Sequence, residues 1–338
     1  MKKASAAFED ALERLKARSQ QAASKAGPGE QPDAPSPPEG QAKARKSNVR
    51  KPPSGDGQQD FFVPTLYDVS TKDSRNIMDV AIFRLSKRHK RAGEIIRYNL
   101  PNGHVTVTGG PHGMASVWDY DLVLMAVSHL TESMNRYREG KGEKPGRVFR
   151  PHIADVFKFC RRHYGGKQKD ELLETCVRLN TTHIAVERTR EGRNGRIMTV
   201  LEGETLISRY KIIKDAAGSP EHLEIEVADW MYREIVEGKN PDVLTVHPDY
   251  FLIDPGIGRF VYRLARRAAG RGQARWSFQT IYERSGSTGT FKEFCRKLRN
   301  AIKADDLPEY HLAEEEGQDG PILVMSHRTL ATDFVEGV

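Results

Sequence analysis

The stretch FKEFCRKLRNAIK (291–303) carries two patterns at once. Phe291, Phe294, Cys295, Leu298 and Ile302 fall at i, i+3, i+4, i+7 and i+11, one apolar helix face. Lys292, Arg296, Lys297, Arg299, Asn300 and Lys303 occupy the rest. Thr290 and Glu293, three apart at the start, suit a capping box in which hydroxyl and carboxylate each satisfy a free amide. The spacing therefore predicts a helix that buries one side and holds cations on the other.

Outward from this helix the charge is locally concentrated. From Pro255 to Asp305 the cations are Arg259, Arg263, Arg266, Arg267, Arg271, Arg275, Arg284, Lys292, Arg296, Lys297, Arg299 and Lys303, against Glu283, Glu293 and Asp305. Twelve minus three is +9, more than the +7 of the whole chain. Such an excess within an apolar-periodic segment is expected of a folded nucleic-acid-binding module. Basic side chains recurring every three or four residues can reach base edges in a major groove, Arg pairing with guanine and Asn with adenine. Lys292, Arg296, Lys297, Arg299, Asn300 and Lys303 form this candidate set, with Thr288, Arg267 and Arg275 beside it and Arg266 as a phosphate contact. A membrane-surface helix fits less well, because the apolar face lacks Trp and is needed to close a core with Phe260, Leu264, Phe278 and Ile281.

The neighbouring segments supply a context. Arg259 to Ala269 reads as a helix, Ser277 to Arg284 as a second, 285–289 as a turn, and Tyr310–Ala313 and Ile322–Met325 as strands after Pro308. The intervening 314–320 is acidic, unsuited to lying on phosphates, and is expected to face away or meet a protein. Helix, helix, turn, helix, hairpin is the order of a winged helix, with 291–303 in the recognition slot.

An earlier segment has a similar order. A hairpin is expected over 94–98 and 104–108 around Asn102-Gly103. Asp119 should cap a long helix with Leu122, Met125, Ala126, Leu130, Met134 and Tyr137 inward. A second helix follows Pro151, a third runs from about Lys169 to Leu179, and extended segments at 184–188 and 197–201 come after it. Further strands are expected at 206–213 and 223–227, then a connecting helix at 229–237. The third helix mixes Lys167, Lys169 and Arg178 with Asp170, Glu171 and Glu174, which suits phosphates or another subunit better than base reading.

The expected class is α+β, two tandem winged-helix domains behind a disordered tail: 1–59 tail, 60–227 first domain, 228–338 DNA-reading domain. The spacing of Phe8, Ala11, Leu12 and Leu15 suits a short helix in the tail, and residues 26–57 hold seven of the eighteen prolines and read as linker. The 338 residues suffice for about two domains of roughly 100–200 residues. With no run of 18 apolar residues and a polar N-terminus, a soluble, cytoplasmic protein is expected, with no membrane partner. Cys160, Cys176 and Cys295 sit on apolar faces without CxxC spacing, so buried free thiols are expected instead of zinc or disulfides.

Enzyme chemistry finds no footing. Gly140-Lys141, Gly166-Lys167 and Gly238-Lys239 are each followed by the wrong residue for a P-loop. No His-x-His supports a metal-dependent nickase, Gly109-Gly110-Pro111-His112-Gly113 reads as a turn, and His183 has no sequence-near partner. No catalytic residue, metal or cofactor is expected.

The segments IFRLSKRHKRAGEIIRYNL (82–100), GMASVWDYDLVLMAVSHL (113–130) and RLNTTHIAVER (178–188) give the chain from about Asp60 to Arg328 a resemblance to the plasmid replication initiator protein A family, and more distantly to two-winged-helix initiators that bind iterons. The resemblance implies a non-enzymatic initiator that binds direct repeats in double-stranded origin DNA, helps open AT-rich DNA and attracts the host initiator and helicase. It further implies a monomer–dimer equilibrium, dimers repressing their own gene. The alternative is a transcriptional repressor or partition protein that binds DNA without starting replication.

Overall fold

The computed structural model describes residues 47–53, 61–64, 80–100, 103–191, 197–238 and 243–332. The expected helix around Leu12 and most of the tail lie outside the described residues. Helices and sheets are mixed throughout, giving an α+β architecture.

One arrangement of elements occurs twice. In the first, α1 (Tyr120–Arg138) precedes β4 (Val148–Phe149), α2 (Ile153–Phe159), α3 (Gly166–Thr181), β7 (Ile207–Lys214) and β8 (Pro220–Val227), with sheet order β4-β8-β7. In the second, which follows α4 (Asp229–Tyr232), α5 (Gly256–Ala268) precedes β10 (Gln273–Ser277), α6 (Phe278–Ser285), α7 (Phe291–Ala304), β11 (Tyr310–Gly317) and β12 (Gly320–His327), with sheet order β10-β12-β11. In both, the last strand lies between the other two, all antiparallel.

The first arrangement departs from its sequence reading at its hairpin. The strands following α3, β5 (His183–Glu191) and β6 (Ile197–Thr205), join β2 (Ile95–Leu100) and β3 (Gly103–Thr108) in a separate four-stranded sheet of order β2-β3-β5-β6. The β7–β8 hairpin completes the arrangement instead. A strand pattern gives a strand's faces but not its pairing partner, which long-range packing selects.

The stripe of α1 is buried from Leu122 to Met134 as its period requires, but Tyr137, expected inward, is 42% exposed. Asp119 does not cap α1 with its side chain. Its carboxylate turns inward and accepts from the Ser116 amide at 2.7 Å, Thr175 Oγ1 at 2.8 Å, and Arg178 Nε and Nη2 at 2.8 and 2.7 Å. Burial opposes its ionisation, but the Arg178 hydrogen bonds and charge more than offset this and hold the carboxyl below the usual aspartate range.

Contacts with the second arrangement are equally polar at their centre. Arg259 of α5 is 0% exposed; its Nη1 donates to Asp121 Oδ1 at 2.5 Å, its Nε to the Ile253 carbonyl and its Nη2 to the Phe251 carbonyl, both at 2.7 Å. Arg162 holds the other Asp121 oxygen at 2.9 Å. Arg263 lies over the rings of Phe83 and Tyr120 at 5.0 and 4.8 Å. Two cations counted toward the +9 segment are therefore used inside the protein.

Residues 47–50, within the stretch read as linker, are also engaged. Val49 bridges Ile253, the Arg50 amide donates to the Leu252 carbonyl at 2.8 Å, and Asn48 Nδ2 donates to Asp306 Oδ1 at 2.7 Å. Proline and polar composition weakens self-association of a segment, but does not prevent it from pairing with a folded edge. Strand β1 (Phe61–Pro64) pairs with β9 (Val243–Val246) in the same way.

Cys160, Cys176 and Cys295 are free and buried. Burial pushes the Cys160 and Cys176 thiols up to about 12, far from the thiolate that nucleophilic chemistry needs.

Candidate nucleic-acid interface

The helix α7 forms where the sequence places it. The Thr290 hydroxyl accepts from the Glu293 amide at 3.3 Å, and Asp305 ends the helix with φ 45°, its amide donating to Ala301. The capping box is half formed, because the Glu293 carboxylate is drawn off by Arg296 Nε and Nη2 at 2.8 and 2.7 Å. These charge-assisted bonds hold the Glu293 carboxyl down to about 2. Phe294, Cys295, Leu298 and Ala301 are buried, packing α7 into the core.

The turn before α7 is fixed by short-range bonds. Tyr282 Oη donates to the Gly289 carbonyl at 2.8 Å, and the Ser287 amide donates to Ser285 Oγ at 3.1 Å. Gly286 takes φ 59°, and a Cβ there would lie 2.5 Å from the Tyr98 hydroxyl oxygen, so glycine is required twice over.

Lys292, Arg296, Arg299, Asn300 and Lys303 share the exposed face of α7, with Lys297 on its flank and Thr288 exposed in the preceding turn. Lys292 and Lys303 have no ion pair among the described residues, and Asn300 is exposed. Arg296 and Lys297 share Glu293, the latter at 3.7 Å. Arg299 donates to both Glu314 oxygens, at 2.7 to 3.1 Å, and lies over Phe278 at 5.5 Å.

Other predicted contacts are placed differently. Arg275 of β10 pairs with Glu315 at 3.2 Å, whereas α7 pairs with Glu314. Successive strand residues point to opposite faces, so Arg275 lies on the face of the sheet away from α7. Arg266 and Arg267 are half-buried at the end of α5, and Arg266 Nε donates to the Thr245 carbonyl at 2.7 Å. The acidic hairpin, expected to face away, places Glu314 against α7 itself. A charge count along the chain cannot register such pairs, since they join residues 15 and 40 apart in sequence.

Sequence reasoning also passed over the run Lys87-Arg88-His89-Lys90-Arg91, although five basic residues in succession are a plain signal. Arg91 Nη1 donates to the Gly286 carbonyl, so the run abuts the turn into α7.

Residues 72–312 match the family described as Replication initiator protein A. The chain belongs to that family. A protein of Wigglesworthia glossinidia brevipalpis named "Putative replication protein" is 26% identical over 260 residues, covering 75% of this chain and 89% of the relative. Among solved structures, one of domains 2 and 3 of RctB superimposes with a TM-score of 0.50 at 11% identity, covering 75% of this chain and 98% of the other. That likeness is one of fold. Among the described residues no helix is long and apolar enough to cross a membrane.

Proposed function

We propose that this protein initiates plasmid replication by binding direct repeats in double-stranded origin DNA, with α7 in the major groove. The observation that carries this reading is the α7 face on which Lys292, Arg296, Asn300 and Lys303 stand exposed at helical spacing while the opposite face is locked in the core. The doubled helix, strand, helix, helix, strand, strand order supports reading each half as a winged helix, and family membership supports the initiator role. The bound protein would help open adjacent AT-rich DNA and attract the host initiator and helicase, acting by binding without covalent catalysis, metal or cofactor.

A monomer–dimer equilibrium, with the dimer repressing its own gene, belongs to the same reading. Its support is β6, an edge strand that leaves Ile197, Met198, Val200 and Leu201 exposed. Open edges of this kind pair readily with a second chain.

The deciding experiment is origin transformation. A plasmid carrying only this gene and its flanking repeats should replicate in the native host; if it never does while the protein still binds the repeats, the protein is a repressor or partition factor. Incubation of purified protein with supercoiled DNA and magnesium should leave the DNA un-nicked.

A further inference from the structure

The loop 86–91 is held like part of a site and not like a free surface turn. Arg84, buried, donates from Nε to the Met114 carbonyl at 2.9 Å and from Nη1 to the Ser86 carbonyl. The Met114 amide donates to the Lys90 carbonyl at 2.8 Å, closing the far end of the loop. Toward α5, Lys87 Nζ meets Asp254 at 2.6 Å, and Gly256 leaves 2.2 Å between its would-be Cβ and the Leu85 carbonyl oxygen, an approach only glycine permits. Toward α7, Arg91 reaches the Gly286 carbonyl, while the Ala81 amide donates to the Arg284 carbonyl at 2.8 Å. The loop thus spans from the start of α5 to the turn that opens α7.

Its charges are unequally used. Lys87 has Asp254, and His89 and Arg91 share Glu94 at 3.4 and 3.0 Å. Arg88 and Lys90 are exposed and have no ion pair among the described residues. Elsewhere three exposed cations on or beside the β7–β8 sheet already face carboxylates: Arg209 with Glu226, and Lys211 and Arg150 with Glu224. Two unpaired cations on a backbone fixed from both sides are pre-organised for an anion, since little ordering remains to be done on binding.

We propose that the loop 86–91 is a phosphate-gripping element of the DNA interface, with Arg88 and Lys90 holding the duplex backbone beside the groove that α7 enters. This rests on the reading of α7 as a DNA-binding helix. The loop carries no sequence information; it adds affinity and sets the position of the duplex on α7. It also gives the first half of the chain a share in the interface through a segment outside both repeated arrangements.

The test uses the full chain, a short random-sequence duplex, and a duplex enriched from a random library by the wild-type protein. Binding is measured by fluorescence anisotropy from about 50 to 200 mM salt, where each neutralised phosphate contributes about 0.9 to the slope of log affinity against log salt. The double variant Arg88→Ala/Lys90→Ala should have a slope shallower by about 1.8 on both duplexes, with the preference between them unchanged. The comparison variant Lys292→Ala/Asn300→Ala should instead lose preference for the enriched duplex, and thermal melting confirms that both variants are folded. An unchanged slope for the loop variant, with preference lost in the α7 variant, overturns the loop proposal and leaves the α7 reading standing. Absence of wild-type binding to either duplex overturns both. Charge reversal, Arg88→Glu/Lys90→Glu, should weaken binding further; tighter or equal binding would also overturn the proposal.

Discussion

Substituting Asn for Asp121 should unsettle the packing of α5 against α1 without touching DNA contacts. Asp121 is 1% exposed in its side chain and carries two guanidinium partners, Arg259 at 2.5 Å and Arg162 at 2.9 Å. Asparagine keeps the shape but not the charge, leaving Arg259 buried without an anion. Removing one member of a buried pair costs about 3–5 kcal/mol, because the remaining charge has lost its water and keeps only the neutral Ile253 and Phe251 carbonyls as partners. At about 2 °C per kcal/mol for a folded unit of this size, the midpoint of thermal unfolding should fall by roughly 6–10 °C. A cycle of Asp121→Asn, Arg259→Met and the double variant should show strong coupling, since the residues touch. Differential scanning calorimetry measures the stability, and a salt series on a random duplex measures the DNA contacts. The slope of binding with salt should stay at its wild-type value in Arg259→Met. A loss below about 1 kcal/mol would refute the buried-pair argument. A slope shallower by about 0.9 would show that Arg259 neutralises a phosphate after all.

Three further outcomes are expected. Glu314→Gln frees Arg299 from a pair that is roughly half exposed and so worth about 0.2–1 kcal/mol, so random-sequence DNA should bind up to about fivefold tighter; unchanged or weaker binding in an anisotropy titration would count against Arg299 as a contact. The stability that Asp119 supplies is complete above about pH 4, the ordinary aspartate range, and is lost as pH falls through its lower folded-state value. Asp119→Asn should therefore be weaker by about 3–5 kcal/mol at neutral pH, yet lose less additional stability than wild type on acidification, as read from urea midpoints across a pH series. Leu201→Lys on the β6 edge should shift sedimentation toward monomer while melting within about 0.5 kcal/mol of wild type, as exposed substitutions do; an unchanged dimer fraction would place self-association elsewhere.

The local elements were largely legible in the residue order. The period of 291–303 and its Thr290 cap specify α7 through interactions three and four residues apart, which any sequence displays. The same holds for the buried stripe of α1 and for the cores of β11 and β12 after Pro308, whereas β10 and the run of β11 on to Gly317 carry no comparable signal in the sequence. Tertiary structure alone decided how these elements combine. It sent β5–β6 to β2–β3 instead of to the sheet of the first arrangement, and it seated residues 47–50 on Ile253 and Asp306. It also sorted the cations: Arg259 into a buried pair, Arg299 against Glu314, Arg275 onto the far face, and Arg88 and Lys90 into the open beside the α7 turn. The reason is one of range. Helical period and capping act within a few residues, whereas the partner of a charge or a strand edge is set by side chains brought together from distant parts of the chain, Arg259 and Asp121 being 138 residues apart.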